Sequence, residues 1–288
     1  MTQLILFNVA NGLIIGAFYA LMALGLSLIL NLSGVINFAH GGFLALGGYL
    51  SYALIPYVGF WGAILISPFL TALIGLALER FLIRPLYGRD NLYSLLLTFG
   101  LAFILEDGTR YIWGASTLPF QIPAFMQTPL SGQFFFLTGF RVFMVVIVTV
   151  AVSGLFLILK KTRLGMRIRA GTLDLETVST LGVNTRVLRN LNFGIGIYMA
   201  GLAGTLAAGM LGLQPNIGNE LIMPSFVAII IGGLGSLAGT LFGGLLIGVA
   251  TGITAVFFPS ASEAVIYILM ALVLLVRPRG LLGEEGRL

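Results

Sequence analysis

Apolar stretches about as long as a membrane is thick occupy most of this chain. A helix needs about 20 mainly apolar residues to cross the hydrocarbon core of a bilayer. Such stretches cover residues 4–30, 41–57, 60–82, 92–113, 135–159, 188–211, 221–258 and 264–276. The seventh is long enough for two crossings or for a broken pair. The sequence therefore predicts an all-α, polytopic transmembrane helical bundle of about nine spans (range roughly 8–10), with broken or re-entrant elements.

The composition excludes several other classes of protein. The 288 residues are 58% hydrophobic and 9% charged, whereas soluble domains carry about 25% charged residues. No polar stretch is long enough to fold separately, so residues 1–288 are predicted to form a single transmembrane domain. The chain has no cysteine and one histidine, which excludes disulfides, thiolate metal sites and His-cluster metal sites.

Basic residues are confined almost entirely to three segments outside the apolar stretches. Thirteen of the fifteen Lys and Arg lie in residues 79–90, in residues 160–189 and in the tail from residue 277. Cytoplasmic loops retain Lys and Arg, and this explains the net charge of +5 better than nucleic-acid binding does. Nine spans then place the N-terminus outside and the C-terminus in the cytoplasm. Because the first basic residue is Arg80, the first stretch lacks the basic start of a signal peptide and is expected to remain as a span.

Small residues recur every four positions in two of the apolar stretches. They are Gly12, Gly16 and Ala20 in the first stretch, and Gly235, Gly239, Gly243, Gly244, Gly248 and Gly252 in the seventh. Because small residues let helix backbones approach closely in a membrane, we expect tight packing within this chain or with a second chain. Pore lining is the alternative. Pro224 and the stretch "GGLGSLAGT" predict a broken or re-entrant element.

The segment 160–189 is the longest polar part of the chain and is predicted to be a cytoplasmic loop. Thr172 is positioned to cap a short helix that carries Asp174 and Glu176 in its first turn, where the helix dipole favours anions. Gly182 is expected to end that helix.

Val178 and Leu181 are three residues apart, so they are predicted to share a face of the short helix. A helix with an acidic start and an apolar face suits docking into a groove of another protein. An ordinary surface helix that binds nothing fits the spacing equally well.

Polar residues and paired glycines lie together between the first two stretches, in residues 31–52. Asn37 and His40 are three residues apart, and Gly41 and Gly42 follow. One interpretation is a gate or path lining in which polar groups briefly solvate a zwitterion. The other is a fixed helix break in which Asn37 and His40 bond to neighbouring carbonyls.

A few charged residues fall near the ends of apolar stretches. Arg110 lies four residues after Glu106 and three after Asp107, so we expect these three to neutralise one another at the outer end of the fourth stretch. Glu220 is expected to lie outside, where it is available to a partner.

Four segments resemble, in this order along the chain, the permease subunits of branched-chain amino-acid ABC importers. They are "GVINFAHGGFLALGGY", "TRLGMRIRAGTLDLETVSTLGVN", "IIGGLGSLAGTLFGGLLIG" and "VRPRGLLGE". These permeases form the hydrophobic amino-acid uptake family, and the chain looks like the shorter permease of the pair. The resemblance covers nearly the whole chain and implies a multi-pass permease of the bacterial inner (plasma) membrane.

The resemblance also implies partners. A second permease, in a heterodimer, would complete the path through the membrane lipid. Two ATPase subunits would carry the ATP, and an extracytoplasmic binding protein would deliver substrate. The coupling role would then fall on Asp174, Glu176, Leu181 and Gly182. The family usually has alanine where this chain has Val178, which affects the details of docking.

Other functions remain open at this point. Related permeases carry urea or short amides, and a self-sufficient secondary transporter or channel belongs to a different class. The sequence has no G-x-x-x-x-G-K-[ST] motif and no H-E-x-x-H motif, so we expect no ATP hydrolysis by this chain and no zinc-protease activity.

Overall fold

The computed structural model describes residues 2–132 and 135–283, most of which are helical. The helices are α1 (Thr2–Ser33), α2 (Ala39–Leu78), α3 (Asn91–Trp113), α4 (Ala124–Gln127), α5 (Gly139–Lys161), α6 (Arg163–Leu173), α7 (Leu175–Thr180), α8 (Thr185–Leu211), α9 (Ile217–Gly232), α10 (Leu237–Phe257) and α11 (Ala264–Val276). A two-stranded antiparallel hairpin, β1 (Pro129–Gly132) and β2 (Phe135–Thr138), pairs Leu130 with Leu137. Glu284 and Arg287 of the predicted cytoplasmic tail lie outside the described residues.

Six helical segments in the described part of the chain are long and apolar enough to cross a membrane. They cover residues 3–33, 39–86, 91–113, 139–161, 185–211 and 237–257. The helices α9 and α11 are apolar but have only 16 and 13 residues. The predicted number of nine is therefore larger than the number of long apolar helices. The difference lies in α9, in α11 and in the unusual length of α2.

The helix α2 reverses direction at Gly59. This residue has φ 71° and ψ 175°, which are not helical values. The hydroxyl oxygen of Thr205 in α8 lies 2.9 Å from Oγ of Ser67 and 3.4 Å from the carbonyl oxygen of Gly47. A straight helix would separate residues 47 and 67 by about 30 Å. We therefore describe α2 as a first arm, residues 39–58, and a second arm, residues 60–78, which agrees with the two separate stretches that the sequence predicts.

The chain groups into two compact units. The first comprises the described parts of residues 1–24, 122–149 and 223–288. In it, the predicted small residues of α1 and α10 meet. A Cβ added to Gly12 would lie 2.4 Å from the carbonyl oxygen of Gly248, and one added to Gly244 would lie 2.6 Å from the backbone nitrogen of Ala20. The expectation of tight packing is thus confirmed within this chain, because no side chain larger than hydrogen fits at Gly12 or Gly244.

The predicted break in the seventh apolar stretch is also confirmed. The helix α9 ends at Gly232, and Gly233 and Gly235 have φ of 102° and 92°, values that glycine adopts without strain. The side chain of Ser236 then accepts a hydrogen bond from the N–H of Gly239 and caps α10. The polar backbone of the break is paired in part by the segment after α11, where the N–H of Leu281 donates to the carbonyl of Ile231.

The second unit comprises residues 25–121 and 150–222. Both arms of α2 pack against α8, and a buried cluster includes Phe43, Ile83, Leu101, Phe193 and Ile197. Glycines again set the spacing, since a Cβ added to Gly204 would lie 1.8 Å from the carbonyl oxygen of Leu44. This unit contains all the residues that sequence analysis assigned to the path and to the cytoplasmic loop.

Candidate functional site

The predicted cytoplasmic loop contains two helices, α6 and α7. The short helix α7 forms where the sequence predicts one, but a different residue caps it. Thr172 does not cap the short helix, because its hydroxyl donates to the carbonyl of Arg169 within α6. Asp174 is the cap, and its carboxylate accepts hydrogen bonds of 3.0 Å from the N–H groups of Glu176 and Thr177. The correction has a physical reason: a carboxylate that directly precedes the first turn reaches both exposed N–H groups, whereas a threonine two residues earlier is still inside α6.

The environment of Asp174 favours its ionised form. The hydroxyl of Thr177 donates to the carboxylate, and this bond, together with the N–H groups of Thr177 and Glu176, holds the pKa of Asp174 below its usual value. The start of α7 therefore carries a negative charge at neutral pH, next to the exposed Glu176.

The end of α7 presents one exposed leucine. The helix ends at Thr180, and Gly182 has φ 82°, as expected for a glycine that ends a helix. Leu181 is 76% exposed, whereas Val178 is 6% exposed. The prediction that these two side chains share a face is therefore wrong. Val178 packs into the second unit, and the exposed apolar surface that remains at this point is that of Leu181.

The four predicted coupling residues, Asp174, Glu176, Leu181 and Gly182, thus lie on one six-residue helix and its two ends. Packing of the buried Val178 and of the preceding helix α6 fixes the position of this helix. A Cβ added to Gly171 in α6 would lie 2.9 Å from Leu32. The loop therefore presents an acidic start and one exposed apolar side chain at its end, both from a fixed position.

The predicted path residues lie at the start of the first arm of α2 and are fully buried. Asn37 and His40 both have no exposed surface. The side chain of Asn37 has no hydrogen-bond partner for either its oxygen or its nitrogen among the described residues. A buried amide without partners costs about 1–3 kcal/mol. Asn37 is therefore a polar group whose capacity to bond is unused in this conformation.

The short connection around Asn37 is held by Thr98 of α3. The hydroxyl of Thr98 donates to the carbonyl of Ile36 and accepts from the N–H of Phe38. These two bonds satisfy backbone groups where helical bonding stops, as a helix break in a membrane requires. Sequence reasoning did not identify Thr98, because its partners are about 60 residues away along the chain.

Gly41 and Gly42 act in close packing. A Cβ on Gly41 would lie 2.4 Å from the carbonyl oxygen of Gly218 in α9, and one on Gly42 would lie 2.9 Å from Leu105 in α3. The structure thus brings all four predicted path residues together in one buried segment, in which Gly41 packs against α9 and Gly42 packs against α3.

A second polar cluster, built around Glu79, was not predicted. The carboxylate of Glu79 is fully buried and accepts bonds from Nη2 of Arg84 at 2.8 Å and from Nδ2 of Asn190 at 2.6 Å. The guanidinium of Arg189 lies 4.7 Å from the centre of the Tyr87 ring. The one signal in the sequence was an acid that follows an apolar stretch and directly precedes Arg80, which gives no indication of Asn190 as its partner.

The charged group near the end of α3 forms as predicted. Arg110 donates to Glu106 at 2.8 Å and to Asp107 at 3.1 Å. The second oxygen of Glu106 accepts a bond from Asn219 at 2.5 Å. Nearby in the chain, Glu220 accepts from Asn216 at 2.7 Å. The pairs are partly exposed, so they contribute little to stability, and they leave polar surface at this end of the unit.

The chain is similar to amino-acid permeases over nearly its whole length. The sequence pattern of the family described as branched-chain amino acid transport system / permease component matches residues 8–274. The high-affinity branched-chain amino acid transport system permease protein BraD of Pseudomonas aeruginosa is 31% identical, over 96% of this chain and 95% of BraD. The corresponding protein LivH of Escherichia coli (strain K12) is 31% identical, over 95% of this chain and 94% of LivH.

A second type of permease is more distant. The high-affinity branched-chain amino acid transport system permease protein LivM of Escherichia coli (strain K12) is 28% identical over 92% of this chain, but the match covers only 67% of LivM. The chain is therefore similar in length to LivH and BraD and shorter than LivM.

Proposed function

The chain belongs to the branched-chain amino acid transport system permease component family, and we propose that it moves branched-chain or other hydrophobic amino acids into the cytoplasm as the membrane-spanning permease subunit of an ATP-binding-cassette importer. It is a multi-pass protein of the inner membrane. The match to named branched-chain permeases along almost the entire chain is the observation that carries this function. Neither a urea or short-amide permease nor a secondary transporter is favoured by the comparisons.

The importer requires further subunits. A second permease completes the path, and the distant likeness of this chain to LivM supports a partner of that type. ATP binds to two partner ATPases, which hydrolyse it, and a binding protein outside the membrane delivers the amino acid. The polar surface around Glu106, Asn219 and Glu220 is suited to contact that binding protein.

The proposed orientation places the N-terminus outside and the C-terminus in the cytoplasm, with nine crossings. The reversal at Gly59 supports counting α2 twice, and α9 and α11 supply the remaining two crossings as short helices. With this arrangement, the basic segments that follow α2 and α5 both lie in the cytoplasm, as the distribution of Lys and Arg requires.

Coupling to the ATPase takes place at α7. Leu181 fills an apolar site in the groove of the ATPase, and Asp174 and Glu176 offer negative charge at the other end of the helix. Val178 and Gly171 are buried within the second unit. A displacement of α7 by the ATPase is therefore transmitted to α8 and to the end of α1.

The path residues respond to that displacement. Asn37 has unused hydrogen-bonding capacity, so it is able to bond to the charged ends of an amino acid when the surrounding helices separate. Gly41 packs against the backbone of α9 and Gly42 packs against Leu105 of α3, and packing contacts of this kind let the helices separate. His40 contributes to this gate rather than binding substrate itself.

The experiment that tests the function is reconstitution. The chain is purified with the subunits that accompany it after mild solubilisation, placed in liposomes, and supplied with ATP, binding protein and labelled leucine. We expect uptake that needs ATP and the ATPase subunits, and no ATP hydrolysis by this chain alone. ATP-independent leucine uptake by the chain alone would show instead a secondary transporter.

A further inference from the structure

A groove of about 400 Å³ lies on the second unit between the end of α2 and the start of α8. Its lining contains both apolar and basic residues. The apolar lining residues include Leu76, Phe81 and Val187, and the polar lining residues are Arg80, Arg84 and Asn190.

The two arginines that line the groove carry positive charge that is only partly neutralised. Glu79 pairs with Arg84 through Nε and Nη2, which leaves the Nη1 group of that guanidinium available. Arg80 is exposed and forms no ion pair with any residue in 2–132 or 135–283. The groove therefore carries two guanidinium groups, of which only that of Arg84 is paired with a carboxylate of the described residues. Asn190 donates a second hydrogen bond to that carboxylate, Glu79.

The apolar side chains that line the groove are exposed on the surface of the protein. Phe81 is 73% exposed and Val187 is 53% exposed. In a protein that spans a membrane, such side chains close to a basic segment lie where the acyl chains meet the headgroups. The groove is thus complementary to both parts of an anionic lipid, because its arginines suit the negative headgroup and its apolar side chains suit the acyl tail.

We propose that this groove binds an anionic phospholipid of the cytoplasmic leaflet. The phosphodiester accepts hydrogen bonds from Arg80 and Arg84, and an acyl chain lies against Phe81 and Val187. Arginine is well suited to this role because its planar guanidinium donates two parallel hydrogen bonds to a phosphate. The proposal rests on the orientation given above, which places the segment after α2 in the cytoplasm.

Lipid binding at this position has a structural consequence. Arg84 contacts Glu79, and Glu79 contacts Asn190 at the start of α8. A bound phosphodiester therefore adds to a chain of charge-assisted bonds that joins the second arm of α2 to α8, and it stabilises the unit that carries the cytoplasmic loop.

The test is lipid retention by the full chain, purified in mild detergent with the subunits that accompany it. The complex is incubated with phosphatidylglycerol or with phosphatidylcholine, and the bound lipid is counted by native mass spectrometry. We expect phosphatidylglycerol to be retained in preference to phosphatidylcholine, and Arg80→Gln to lower its retention by about five-fold, the effect of one arginine near an anionic surface. Arg80→Lys keeps the charge without the planar donor pair and is expected to lose less.

Arg89→Gln is the matched control, because Arg89 is an exposed arginine of the same basic segment that does not line the groove. Retention that Arg80→Gln leaves unchanged, or that Arg89→Gln lowers equally, overturns the proposal. Inorganic phosphate at the same concentration is expected to leave the melting temperature of the complex unchanged, whereas phosphatidylglycerol raises it. A phosphate effect as large as the lipid effect would show an anion site without lipid. Because no transport is measured, failure of this test leaves the permease function standing, and failure of ATP-driven uptake leaves the lipid result standing.

Discussion

Replacing Leu181 with Asp tests whether α7 docks into an ATPase. Leu181 is 76% exposed at the end of α7, with no described role in the packing of the second unit. Substitutions at such exposed positions usually change the free energy of unfolding by less than about 0.5 kcal/mol. The variant should therefore insert into the membrane and pair with its partner permease as the unchanged chain does.

The size of the effect follows from the exposed surface of Leu181. Full burial of a leucine side chain contributes about 1.5–3 kcal/mol, and 76% of Leu181 is available for burial by a partner. Leu181→Ala is expected to weaken ATPase binding by about 1–2 kcal/mol, or roughly five- to thirty-fold. Leu181→Asp also places an unpaired charge in the interface, which costs several kcal/mol, so its loss should exceed about a hundred-fold.

The assay is co-purification of the ATPase with the tagged chain, followed by ATP-driven leucine uptake in liposomes. Leu92→Asp is the matched control, because Leu92 is a 69% exposed leucine at the start of α3, outside the α6–α7 loop. Val178→Ala provides the opposite comparison. It removes buried methyl groups, so it should lower stability by about 1–2 kcal/mol while the ATPase still binds.

Normal ATPase binding and uptake by Leu181→Asp would refute the reasoning. The loop would then be a solvated surface, and the assignment of Asp174, Glu176, Leu181 and Gly182 to coupling would have to be abandoned. An equal loss for Leu92→Asp would refute it in a different way, since it would show a general effect of charge on the complex.

Three further predictions concern packing, pH and topology. Gly41→Ala places a methyl group 2.4 Å from a backbone oxygen and should lower the melting temperature. Gly100→Ala meets no neighbouring atom within 4 Å, so it should leave the melting temperature unchanged or raise it, with a gain of up to about 1 kcal/mol in the free energy of unfolding. Equal melting temperatures for the two variants would contradict the packing. The pKa of Asp174 is lowered in the folded chain, so its ionised cap stabilises α7 above the pKa of the unfolded chain, and this stabilisation is lost as pH falls through the lower folded value. The protection of the amides at the start of α7, taken as the intrinsic exchange rate divided by the observed rate at the same pH, should therefore decrease in acid for the unchanged chain but not for Asp174→Asn. Because the chain has no cysteine, Tyr57→Cys should react with an impermeant thiol reagent from outside and Ser179→Cys only from the cytoplasm; the reverse pattern would invert the proposed orientation.

Much of the architecture was predictable because a membrane restricts the choices. Long apolar stretches must be helices, since a bilayer supplies no hydrogen-bond partners for the backbone. The four-residue spacing of Gly12, Gly16 and Ala20 predicted close packing before the partner helix was known, and the spacing of Arg110 from Glu106 predicted their ion pair. In each of these cases the contacts lie within one helix or follow from the size of a single residue.

The coupling loop was predicted only in part. A short helix that carries Glu176 in its first turn and ends at Gly182 was predicted correctly, because helix ends depend on local backbone chemistry. The cap was predicted at Thr172 and lies instead at Asp174. The burial of Val178 was not predictable. Two residues separated by three positions on so short a helix differ in burial according to what lies behind it, and that surface comes from distant parts of the chain.

The sequence by itself determined the class of protein, the positions of most helices, the small-residue faces and the charged ends of the loop, because these depend on composition and on spacing along the chain. Only the tertiary structure decided that Glu79 is fully buried between Arg84 and Asn190, that Thr98 holds the turn beside Asn37, and that both arms of α2 meet Thr205. The physical reason is separation along the chain. A hydrogen-bond partner stabilises a polar group that is buried in a membrane, and nothing in the local sequence specifies which distant residue the fold will bring within hydrogen-bonding distance.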